Sequence, residues 1–429
     1  MRLILCDSDR PNRRDFYPLA LSRPIFELRS GLLTLGERLI QRVGAADVAC
    51  FVPHHLEAVY RGHTDRRVND PAALDGSDLL LLNARLKPEA LDRIDRRGAS
   101  QCGHDEHGEV LYIWLRQADH ARIDASSIES LLETSRNNLP CVRVELPIWR
   151  YTWELVLHNA EQLTADFQHA GRHGIDTRVE QPFVHCGSER DLYVASGVQI
   201  HPMVVIDTRK GPVYIDHDAE IQPFTRIEGP CYIGPKSILL GAKCREGMTI
   251  GPVCRVGGEV EESIIQGYSN KYHDGFLGHA FVGEWVNLGA GTTNSDLKND
   301  YGHVEVCLDG KHYVDTESMK VGALIGDHTK TSIGTLFNTG SYVGAMSLIM
   351  ATGKPLPKYI PDFSWLLEGV VTKGFGKSKL YETAQAAMAR RGATWSQADR
   401  VMWDAIFEMT APQRDEALRR GRRQMLHAS

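Results

Sequence analysis

The spacing of apolar residues divides the chain into three regions with different predicted architectures. Up to about residue 185, short apolar runs alternate with amphipathic stretches, as is typical of strands and helices packed in layers. Apolar runs predict strands at Leu3–Cys6, Val48–Val52, Leu79–Leu82 and Val110–Leu115. Helical spacing is found at Leu32–Val43, Ser127–Thr134 and Trp153–Phe167. An α/β domain is therefore expected over residues 1–185.

From about residue 190 to 350, the apolar positions recur every six residues. Glycine is frequent there, and it directly follows several of the apolar residues. The repeated apolar positions are Ile215, Ile221, Ile227, Ile233 and Leu239, then Cys244, Ile250 and Val256 after a slip of one residue, and later Val282 and Leu288. A six-residue unit can form one short strand and a tight corner with one aliphatic side chain pointing inward, and three such units close a coil. This period predicts a parallel β-helix with about 18 residues in each coil, whereas a sandwich would show turn signals every 8–12 residues.

The six-residue rhythm is interrupted twice, at 257–281 and at 295–320. In a solenoid, such interruptions predict loops that project from one face. The second interruption contains two alternating segments around Asp309–Gly310, which predict a hairpin. Loops carry function disproportionately, so both interruptions are candidate functional regions.

After Pro355, Pro357 and Pro361 the composition becomes helical. One helix is predicted to bury a face made of Ala398, Val401, Met402, Ala405, Ile406 and Met409. This region is interpreted as a packing appendage. Its basic end is interpreted as a solvated helix terminus and comprises Arg419, Arg420, Arg422 and Arg423.

Composition excludes several classes of protein. A chain of 429 residues that is 42% hydrophobic and 24% charged is globular and long enough for two or three domains. A net charge of −6 disfavours nucleic acid and anionic membranes as partners. No apolar run reaches about 18 residues, and the first residues become polar too early for a signal peptide, so a cytoplasmic protein is expected. Nine scattered cysteines without a C-x-x-C pair predict reduced thiols and no structural zinc.

The segment from Gly257 to Gly302 concentrates histidine, carboxylates, lysine, asparagine and glycine at the edge of the predicted solenoid. His273 could act there as a general base, because the unperturbed pKa of histidine lies near 6.5. Spacing alone favours the alternative, a loop histidine with a structural hydrogen bond. A zinc site built from histidines is a further alternative with candidates His273, His279, His303, His312 and His328, although the spacing lacks a close pair.

The motif K-Y-H-D-G-F-L-G-H-A-F-V-G-E-W-V-N-L-G-A-G-T resembles the acetyltransferase half of the bacterial bifunctional glucosamine-1-phosphate acetyltransferase/N-acetylglucosamine-1-phosphate uridyltransferase family. Further motifs are similar to a divergent bacterial branch of sugar nucleotidyltransferases and extend the resemblance over nearly the whole chain. They are L-A-L-S-R-P-I-F-E-L-R-S-G, G-D-H-T-K, F-N-T-G and I-P-D-F-S-W. The resemblance implies an α/β nucleotidyltransferase-like (Rossmann-like) domain over 1–185, a left-handed parallel β-helix over 186–352 and a helical extension over 353–429. It also implies a homotrimer with active sites between solenoids.

The resemblance assigns roles to residues of the acyltransferase site. His273 takes the place of the base that removes a proton from the substrate amine. A carboxylate that orients this base corresponds to Glu261, with Glu259 as a close rival. Asn287 matches the asparagine of the N-x-G-A-G motif, and acetyl-CoA is expected to approach the backbone at Ala290.

The substrate pocket departs from the family pattern at two positions. Phe276 replaces a tyrosine, and Ser263 stands where the family places a lysine. Because a phosphate needs cationic donors, Lys271, Lys243 and Arg245 are the expected substitutes, with solvated surface charge as the alternative for them. Asn294 is also expected to contact the substrate.

The N-terminal domain lacks the glycine-rich phosphate loop of the family. Arg13, Arg14 and Arg23 offer cations after the first strand, and Asn83 stands where the family places a metal-binding aspartate. An amide is a poorer Mg²⁺ ligand than a carboxylate, so Mg²⁺ is expected only if this domain transfers nucleotides. Asp7 or Asp9 could serve a different arrangement. UTP or a nucleotide sugar is the expected ligand, with Arg23 and Asn83 as weak candidates.

The resemblance implies acetyl-CoA-dependent N-acetylation of an amino-sugar phosphate. Glucosamine-1-phosphate is the expected acceptor, and coupled uridyl transfer would give a UDP-sugar. The alternative is a non-catalytic nucleotide-sugar-binding or scaffold protein with the same fold. The absent glycine loop favours that alternative, whereas His273 with Asn287 favours the enzyme.

Overall fold

The computed structural model describes residues 1–7 and 11–428, and the chain divides into two compact units. The first unit comprises Met1–Phe16, Ser22–Leu28 and Leu33–Arg150. The second comprises Tyr17–Leu21, Arg29–Leu32 and Tyr151–Ser429. Short 3₁₀ turns connect the regular elements at Pro11–Phe16, Ile25–Glu27, Pro71–Leu74, Pro88–Arg93, Gln117–Arg122 and Glu189–Asp191.

A seven-stranded sheet forms the centre of the first unit. Its strands are β1 (Arg2–Cys6), β2 (Asp47–Phe51), β3 (Arg67–Val68), β4 (Leu79–Asn83), β5 (Gln101–His104), β6 (Val110–Leu115) and β7 (Cys141–Arg143). The strand order is β3-β2-β1-β4-β6-β5-β7, and β3, β2, β1 and β4 are parallel while β6 runs antiparallel to β4. Burial on both faces explains the continuous apolar runs, since every residue of β4 and β6 is buried. The four predicted strands are confirmed.

Three helices accompany this sheet: α1 (Leu35–Val43), α2 (His54–His63) and α3 (Ile128–Asn138). The predicted start of α1 at Leu32 was wrong, because Thr34 and Glu37 form a capping box that fixes the helix start at Leu35. The pattern at Trp153–Phe167 is two helices of the second unit, α4 (Thr152–Leu157) and α5 (Asn159–Ala170). Asn159 accepts from the backbone N–H of Gly31 (2.7 Å) and donates to Gly247 O (2.8 Å), which ties α5 to the second unit.

The second unit is dominated by a left-handed parallel β-helix with three faces. Face A contains Gly174–Ile175, Leu192–Val194, Val213–Ile215, Cys231–Ile233, Met248–Ile250, Ile264–Gly267, Phe281–Glu284, Leu324–Ile325, Tyr342–Val343 and Tyr359–Ile360. Face B contains Gln199–Ile200, Glu220–Ile221, the starts of Ile238–Cys244 and Arg255–Glu261, then Asn270–Lys271, Lys330–Thr331, Leu348–Ile349 and Trp365–Leu367, the last closed by Val370–Thr372. Face C contains Phe183–Cys186, Val204–Asp207, Arg226–Glu228, the ends of Ile238–Cys244 and Arg255–Glu261, then Phe276–Gly278, Thr293–Asn294 and Leu336–Phe337.

The predicted six-residue anchors form the interior of this β-helix. Register pairs Ile215 with Ile233 and Ile233 with Ile250, and all ten anchors are at most 3% exposed. The coils continue through Trp365–Leu367, so the motif I-P-D-F-S-W belongs to the last coil. Two further short strands lie at Arg29–Ser30 and Leu33–Thr34.

The two interruptions of the rhythm have different structures. The second contains the predicted hairpin, formed by Glu305–Cys307 and Tyr313–Asp315. The first was wrongly predicted to be a projecting loop, because its residues continue the coils on all three faces. The rhythm fails there because the corner between faces B and C is shortened, as described below.

Three helices follow the β-helix: α6 (Gly376–Ala389), α7 (Gln397–Met409) and α8 (Ala411–Ala428). They pack on aromatic residues at the corner between faces A and B, here called the AB corner. The ring of Trp403 lies 5.6 Å from His328 and 5.9 Å from Phe363. The predicted buried face of α7 was partly wrong, because Trp403 takes the buried position and leaves Val401 and Met409 exposed.

Two further properties of the chain are the state of its cysteines and whether any helix could cross a membrane. All nine cysteines are free thiols, as predicted. Within residues 1–7 and 11–428, no helix combines the length and apolarity needed to cross a bilayer.

We expect Trp403→Ala to destabilise the C-terminal helices by about 3–5 kcal/mol, because it removes a large buried side chain from the AB corner. Val401→Ala on the same helix should change stability by less than about 0.5 kcal/mol. Denaturant unfolding followed by far-UV circular dichroism measures both. Equal destabilisation by the two variants would contradict the assigned helix face.

Candidate functional site

His273 lies at the corner between faces B and C, here called the BC corner. Bridges from Asn270 to Asn287 and from Asn287 to Lys330 set the register of three successive coils. This register places His273, Ala290 and Ile333 at equivalent positions, about 4.8 Å apart from coil to coil. These three residues are named the BC edge. The register therefore places the expected base, His273, and the expected acetyl-CoA contact, Ala290, in one column.

The BC corner is recessed in the coils before His273. From Glu220 to Arg226 the chain advances six positions, but from Ile238 to Lys243 it advances five and from Arg255 to Glu259 only four. From Asn270 to Phe276 the full six positions return. His273 therefore stands on the first coil that steps outward beyond the recess, and it is exposed.

Glycine occupies the BC corner more often than backbone conformation requires. Gly241, Gly258, Gly291 and Gly334 have positive φ there. Ordinary residues also adopt positive φ, as Phe224 does at this corner in an earlier coil and Tyr268 does at the AB corner. A Cβ at Gly334 would have no neighbour within 4 Å, and one at Gly291 would meet only Gly334 backbone at 3.6 Å or more. The absence of side chains beside Ala290 and Ile333 leaves a smooth edge that another molecule can approach closely.

Lys271 fixes the backbone of the His273 loop. Its Nζ donates to His273 O at 2.7 Å and to Gly257 O at 3.1 Å. Burial lowers the pKa of Lys271 to about 8. The expectation that Lys271 binds phosphate is therefore corrected, because its ammonium is buried and used inside the coil. The imidazole of His273 itself makes no hydrogen bond within the described part of the chain and lies 5.9 Å from the ring of Tyr272.

The structure does not join Glu261 to His273. Glu261 accepts from Arg245 at 2.6 Å and lies 3.7 Å from Lys320 Nζ. In register, Glu261 faces Gly278, whereas Glu259 faces Phe276 and its backbone N–H donates to Gly275 O at 3.1 Å. Of the two carboxylates, Glu259 is on the strand position next to the His273 loop.

The other expected substrate contacts are spread over two faces. Lys243 and Phe276 share one row on face C, through Glu259 between them. Asn294 is buried, and its amide exchanges two 2.9 Å hydrogen bonds with the backbone of Gly278. Its expected substrate contact is thus replaced by a structural role. Asn287 lies at the far end of face B, three residues before Ala290 and about 10 Å along the strand, and is not joined to His273.

A buried histidine lies at the corner between faces C and A. The sequence analysis did not predict that it carries a charge. His279 Nδ1 lies 2.8 Å from Asp296, and its Nε2 contacts Glu262. Burial alone would lower its pKa, but the hydrogen bonds with Asp296 and Glu262 outweigh burial and raise it. No local spacing signals this cluster, because the three residues come from different coils. With both ring nitrogens engaged, His279 is a structural cation rather than a base.

The zinc alternative finds no support in this geometry. The described residues hold no group of histidine, cysteine and carboxylate side chains suited to a metal ion. His328 lies at the AB corner, and His303 and His312 pair with Asp315 and Asp309 on the hairpin. The five histidines do not converge.

At the carboxyl edge of the first unit's sheet, Asn83 belongs to a closed hydrogen-bond network. Its amide donates to Glu109 at 2.9 Å, and Glu109 also accepts from Arg85 and from Asn12 at 2.7 Å. Burial raises the pKa of the nearby Asp15 to about 6. Because both oxygens of Glu109 already bind donors, the described residues do not fit Mg²⁺ at this edge.

Two other candidates of the first unit, Asp7 and Arg23, are engaged in hydrogen bonds within the chain. Asp7 accepts from Arg13 at 3.2 Å and from the backbone N–H of Ile25 at 2.8 Å. Arg23 is buried, and its carbonyl accepts from Arg13 at 2.9 Å. Arg14 is exposed. Asp9 lies outside the described residues.

Comparison with known proteins confirms the resemblance to bifunctional sugar-phosphate transferases. Residues 3–173 match the family described as sugar nucleotidyl transferase. The bifunctional sugar-1-phosphate nucleotidylyltransferase/acetyltransferase of Sulfurisphaera tokodaii is 37% identical over 152 residues, 33% of this chain and 35% of that protein. The bifunctional protein GlmU of Heliobacterium modesticaldum is 26% identical over 163 residues, 37% of this chain and 34% of that protein. The chain thus spans about a third of the length of these relatives.

One solved structure with partial likeness is a UDP-N-acetylglucosamine acyltransferase of Francisella novicida. It aligns with 56% of this chain and 87% of its own, at 14% identity and a TM-score of 0.32. The β-helical fold of the second unit therefore rests on its own strand pairing.

We expect His279→Gln to cost about 3 kcal/mol of stability near pH 6 and less near pH 9. The pKa of His279 is raised in the folded state, so its charged form stabilises the fold. This stabilisation is complete below the unfolded-state pKa of 6.5 and is lost as the pH rises through the folded-state pKa. The lowered pKa values of Glu262 and Asp296 give stability that is lost only at more acidic pH. Urea unfolding at both pH values measures the difference.

His303→Gln is the matched control, because His303 forms an exposed pair with Asp315 at 3.4 Å. Its effect should stay below about 0.5 kcal/mol at both pH values. A cost of His279→Gln that does not change with pH would contradict a charged His279.

Proposed function

We propose that the β-helix transfers an acetyl group from acetyl-CoA to the amine of an amino-sugar phosphate at the BC edge. The observation that supports this most directly is the column of His273, Ala290 and Ile333 beside the bare glycine corner. It puts an exposed imidazole next to an edge that admits an extended thioester. The bifunctional relatives named above include acetyltransferases, which agrees with this proposal.

His273 serves as the general base in this reaction. The substrate amine attacks the thioester carbonyl, a C–N bond forms and the C–S bond breaks. The amine proton passes to the imidazole, and the CoA thiolate leaves and is protonated to the thiol. His273 suits this role because its ring is exposed and free of competing hydrogen bonds within residues 1–7 and 11–428, while Lys271 holds its backbone. Glu259 is the proposed orienting carboxylate in place of Glu261, because Arg245 lies 2.6 Å from Glu261 but 3.8 Å from Glu259.

The donor is proposed to lie along the BC edge. Acetyl-CoA supplies a thioester-activated acetyl group. Ala290 and Gly291 offer close backbone approach, and Ile333, which is 73% exposed, offers apolar contact one coil further. Gly334 continues the bare surface, so no side chain interrupts this path.

The acceptor is proposed to be glucosamine-1-phosphate, with its phosphate towards face C. Lys243 is exposed there, and Arg245 lies at the same end of its strand although it is paired with Glu261. Phe276 can pack against the sugar ring but offers no hydroxyl to the phosphate. Acetyl-CoA and sugar phosphates are cytoplasmic metabolites, so the proposed location is the cytoplasm.

A homotrimer is part of the proposal. Phe224 and Met203 occupy the BC corner in earlier coils and are 78% and 54% exposed. Exposed apolar side chains aligned along one corner are suited to contact another β-helix. Such an assembly would complete the site on its open side.

The first unit is proposed to bind a nucleotide sugar without transferring nucleotides. The closed network of Asn83, Glu109 and Arg85 supports this, because it fills the place of a metal site with internal hydrogen bonds. Uridyl transfer would require that network to open.

We expect His273→Ala to lower the turnover of acetyl-CoA with glucosamine-1-phosphate by about 10²–10⁴-fold, because the general base is removed. Release of free CoA measures the reaction. His217→Ala, which alters another exposed histidine of the β-helix, should keep full activity. Equal activity of wild type and His273→Ala would overturn the assigned base, and CoA release that is independent of the sugar phosphate would overturn the acceptor.

We also expect Ala290→Trp to raise the KM for acetyl-CoA at least about tenfold, because an indole would obstruct the bare BC edge. The folded state should tolerate the change, since Ala290 is only half-buried and the adjacent Gly291 and Gly334 leave open space at this corner. Ala46→Trp, an exposed site in the first unit, is the control. An unchanged KM in Ala290→Trp with unchanged thermal stability would show that the donor lies elsewhere.

A further inference from the structure

A cavity of about 250 Å³ lies between the β-helix and the C-terminal end of α6. Its floor is the start of face B and the AB corner, including Asn270, Asn287 and Trp285. Its roof includes Arg390 and Arg391, which directly follow α6. The cavity is thus at the other end of face B from the BC edge, and the proposed acyl transfer does not use it.

The charges that line the cavity are all positive. Lys330, Arg390 and Arg391 contribute three cations, and no aspartate or glutamate lies among the lining residues. Burial lowers the pKa of Arg391, and the positive charges of Arg255 and Arg390 lower it further. Like charges held together in this way raise the local positive potential and favour an anion.

Several hydrogen-bond donors at the cavity have no protein acceptor. The Nε–H of Arg391 is buried without a partner in the described part of the chain, while its Nη2 donates to Asn270 at 2.9 Å. Asn270 in turn donates to Asn287 Oδ1 at 3.1 Å, so the amide NH₂ of Asn287 is left for another acceptor. A buried donor without an acceptor is costly, so an anionic ligand would stabilise the Nε–H of Arg391, and the exposed amide of Asn287 adds a further donor.

Lys330 adds a donor at the floor. Its Nζ donates to Trp285 O at 2.7 Å and to His328 O at 2.8 Å, which leaves the third N–H of an ammonium group. Burial lowers the pKa of Lys330 to about 7, although Asp327 opposes the shift. A bound anion would stabilise the charged form.

The aromatic residues limit the class of ligand. Trp285 is stacked between Tyr268, at 4.5 Å and 22°, and His328, at 6.1 Å and 14°. Both faces of the indole are therefore occupied, and it can offer only its edge to the cavity. The lining provides donors for a phosphate but no free face of Trp285 for a nucleobase.

We infer that this cavity binds a small phosphate monoester without a nucleobase, at a site separate from the BC edge. Arg390, Arg391 and Asn287 donate to the phosphate oxygens from the roof and wall, and Lys330 donates from the floor. Guanidinium groups suit this role because they bind phosphate oxygens in pairs. The volume accommodates a phosphate with a small attached group.

Isothermal titration of the full chain tests this site, with inorganic phosphate and glucose 6-phosphate as probes at constant ionic strength. Wild type should bind both probes, and adenosine monophosphate should bind no tighter than inorganic phosphate. Arg390→Gln with Arg391→Gln should weaken phosphate binding at least about tenfold. Arg419→Gln, an exposed arginine of α8, is the matched control and should bind as wild type does.

Two further measurements distinguish a loss of phosphate binding from misfolding and from damage to the BC edge. Circular dichroism and the thermal midpoint should show that the double variant is folded. His273→Ala and Ala290→Trp should retain phosphate affinity, whatever their acyltransferase activity. No phosphate binding by wild type up to about 10 mM, equal binding by the double variant, or loss of binding in His273→Ala would each overturn the proposal.

Discussion

The rest of this structure depends on the parallel register between coils, which is fixed by one buried aliphatic side chain per strand. Ile215, Ile233 and Ile250 stack inside face A at successive coils. A slip of one residue would turn these side chains outward, so the hydrophobic interior holds the register firmly. Residues at equivalent corner positions of adjacent coils are thereby brought within one strand spacing of each other. The column of His273 and Ala290 is a direct consequence.

The same register gives the two corners of face B different surfaces. At the AB corner, bulky residues such as Tyr268 and Trp285 adopt positive φ and form a column on which the C-terminal helices pack. At the BC corner, glycine at positions such as Gly291 and Gly334 leaves the edge bare. Because non-glycine residues such as Phe224 and Tyr268 adopt this conformation at both corners, the glycines beside Ala290 and Ile333 are best explained by what approaches them from outside. One corner is covered by the chain itself and the other is kept open.

The two units differ in whether the hydrogen bonds of their charged groups are satisfied within the unit. At the sheet edge of the first unit, Asn83, Arg85 and Glu109 satisfy one another, and no open carboxylate is left for a metal ion among the described residues. In the β-helix, by contrast, His273 is exposed, and no carboxylate is among the residues that line the cavity under α6. We therefore place the proposed acyl transfer and the proposed anion site in the β-helix, where polar groups are left with unmet hydrogen-bonding capacity.

Local patterns in the sequence determined the architecture. The six-residue period, the continuous apolar runs of β4 and β6 and the hairpin around Asp309–Gly310 each follow from nearest-neighbour periodicity, which is a property of the chain itself. The same is true of the motif around His273, whose resemblance to a family named a base and an acetyl-CoA contact. These predictions needed no knowledge of which coils lie next to one another.

Only the tertiary structure decided which charged groups meet. Glu261 pairs with Arg245, although it had been expected to orient His273. Lys271 is buried against the His273 carbonyl and Asn294 is hydrogen-bonded to Gly278, although both had been expected at the substrate. The contacts of Glu261 and Asn294 join residues about one coil apart, and the shortened corners before His273 change that distance without a signal in the local pattern. The cavity under α6 likewise unites residues far apart in the chain. Periodicity specifies which side of a strand a residue faces, whereas the identity of its neighbour depends on how the coils stack.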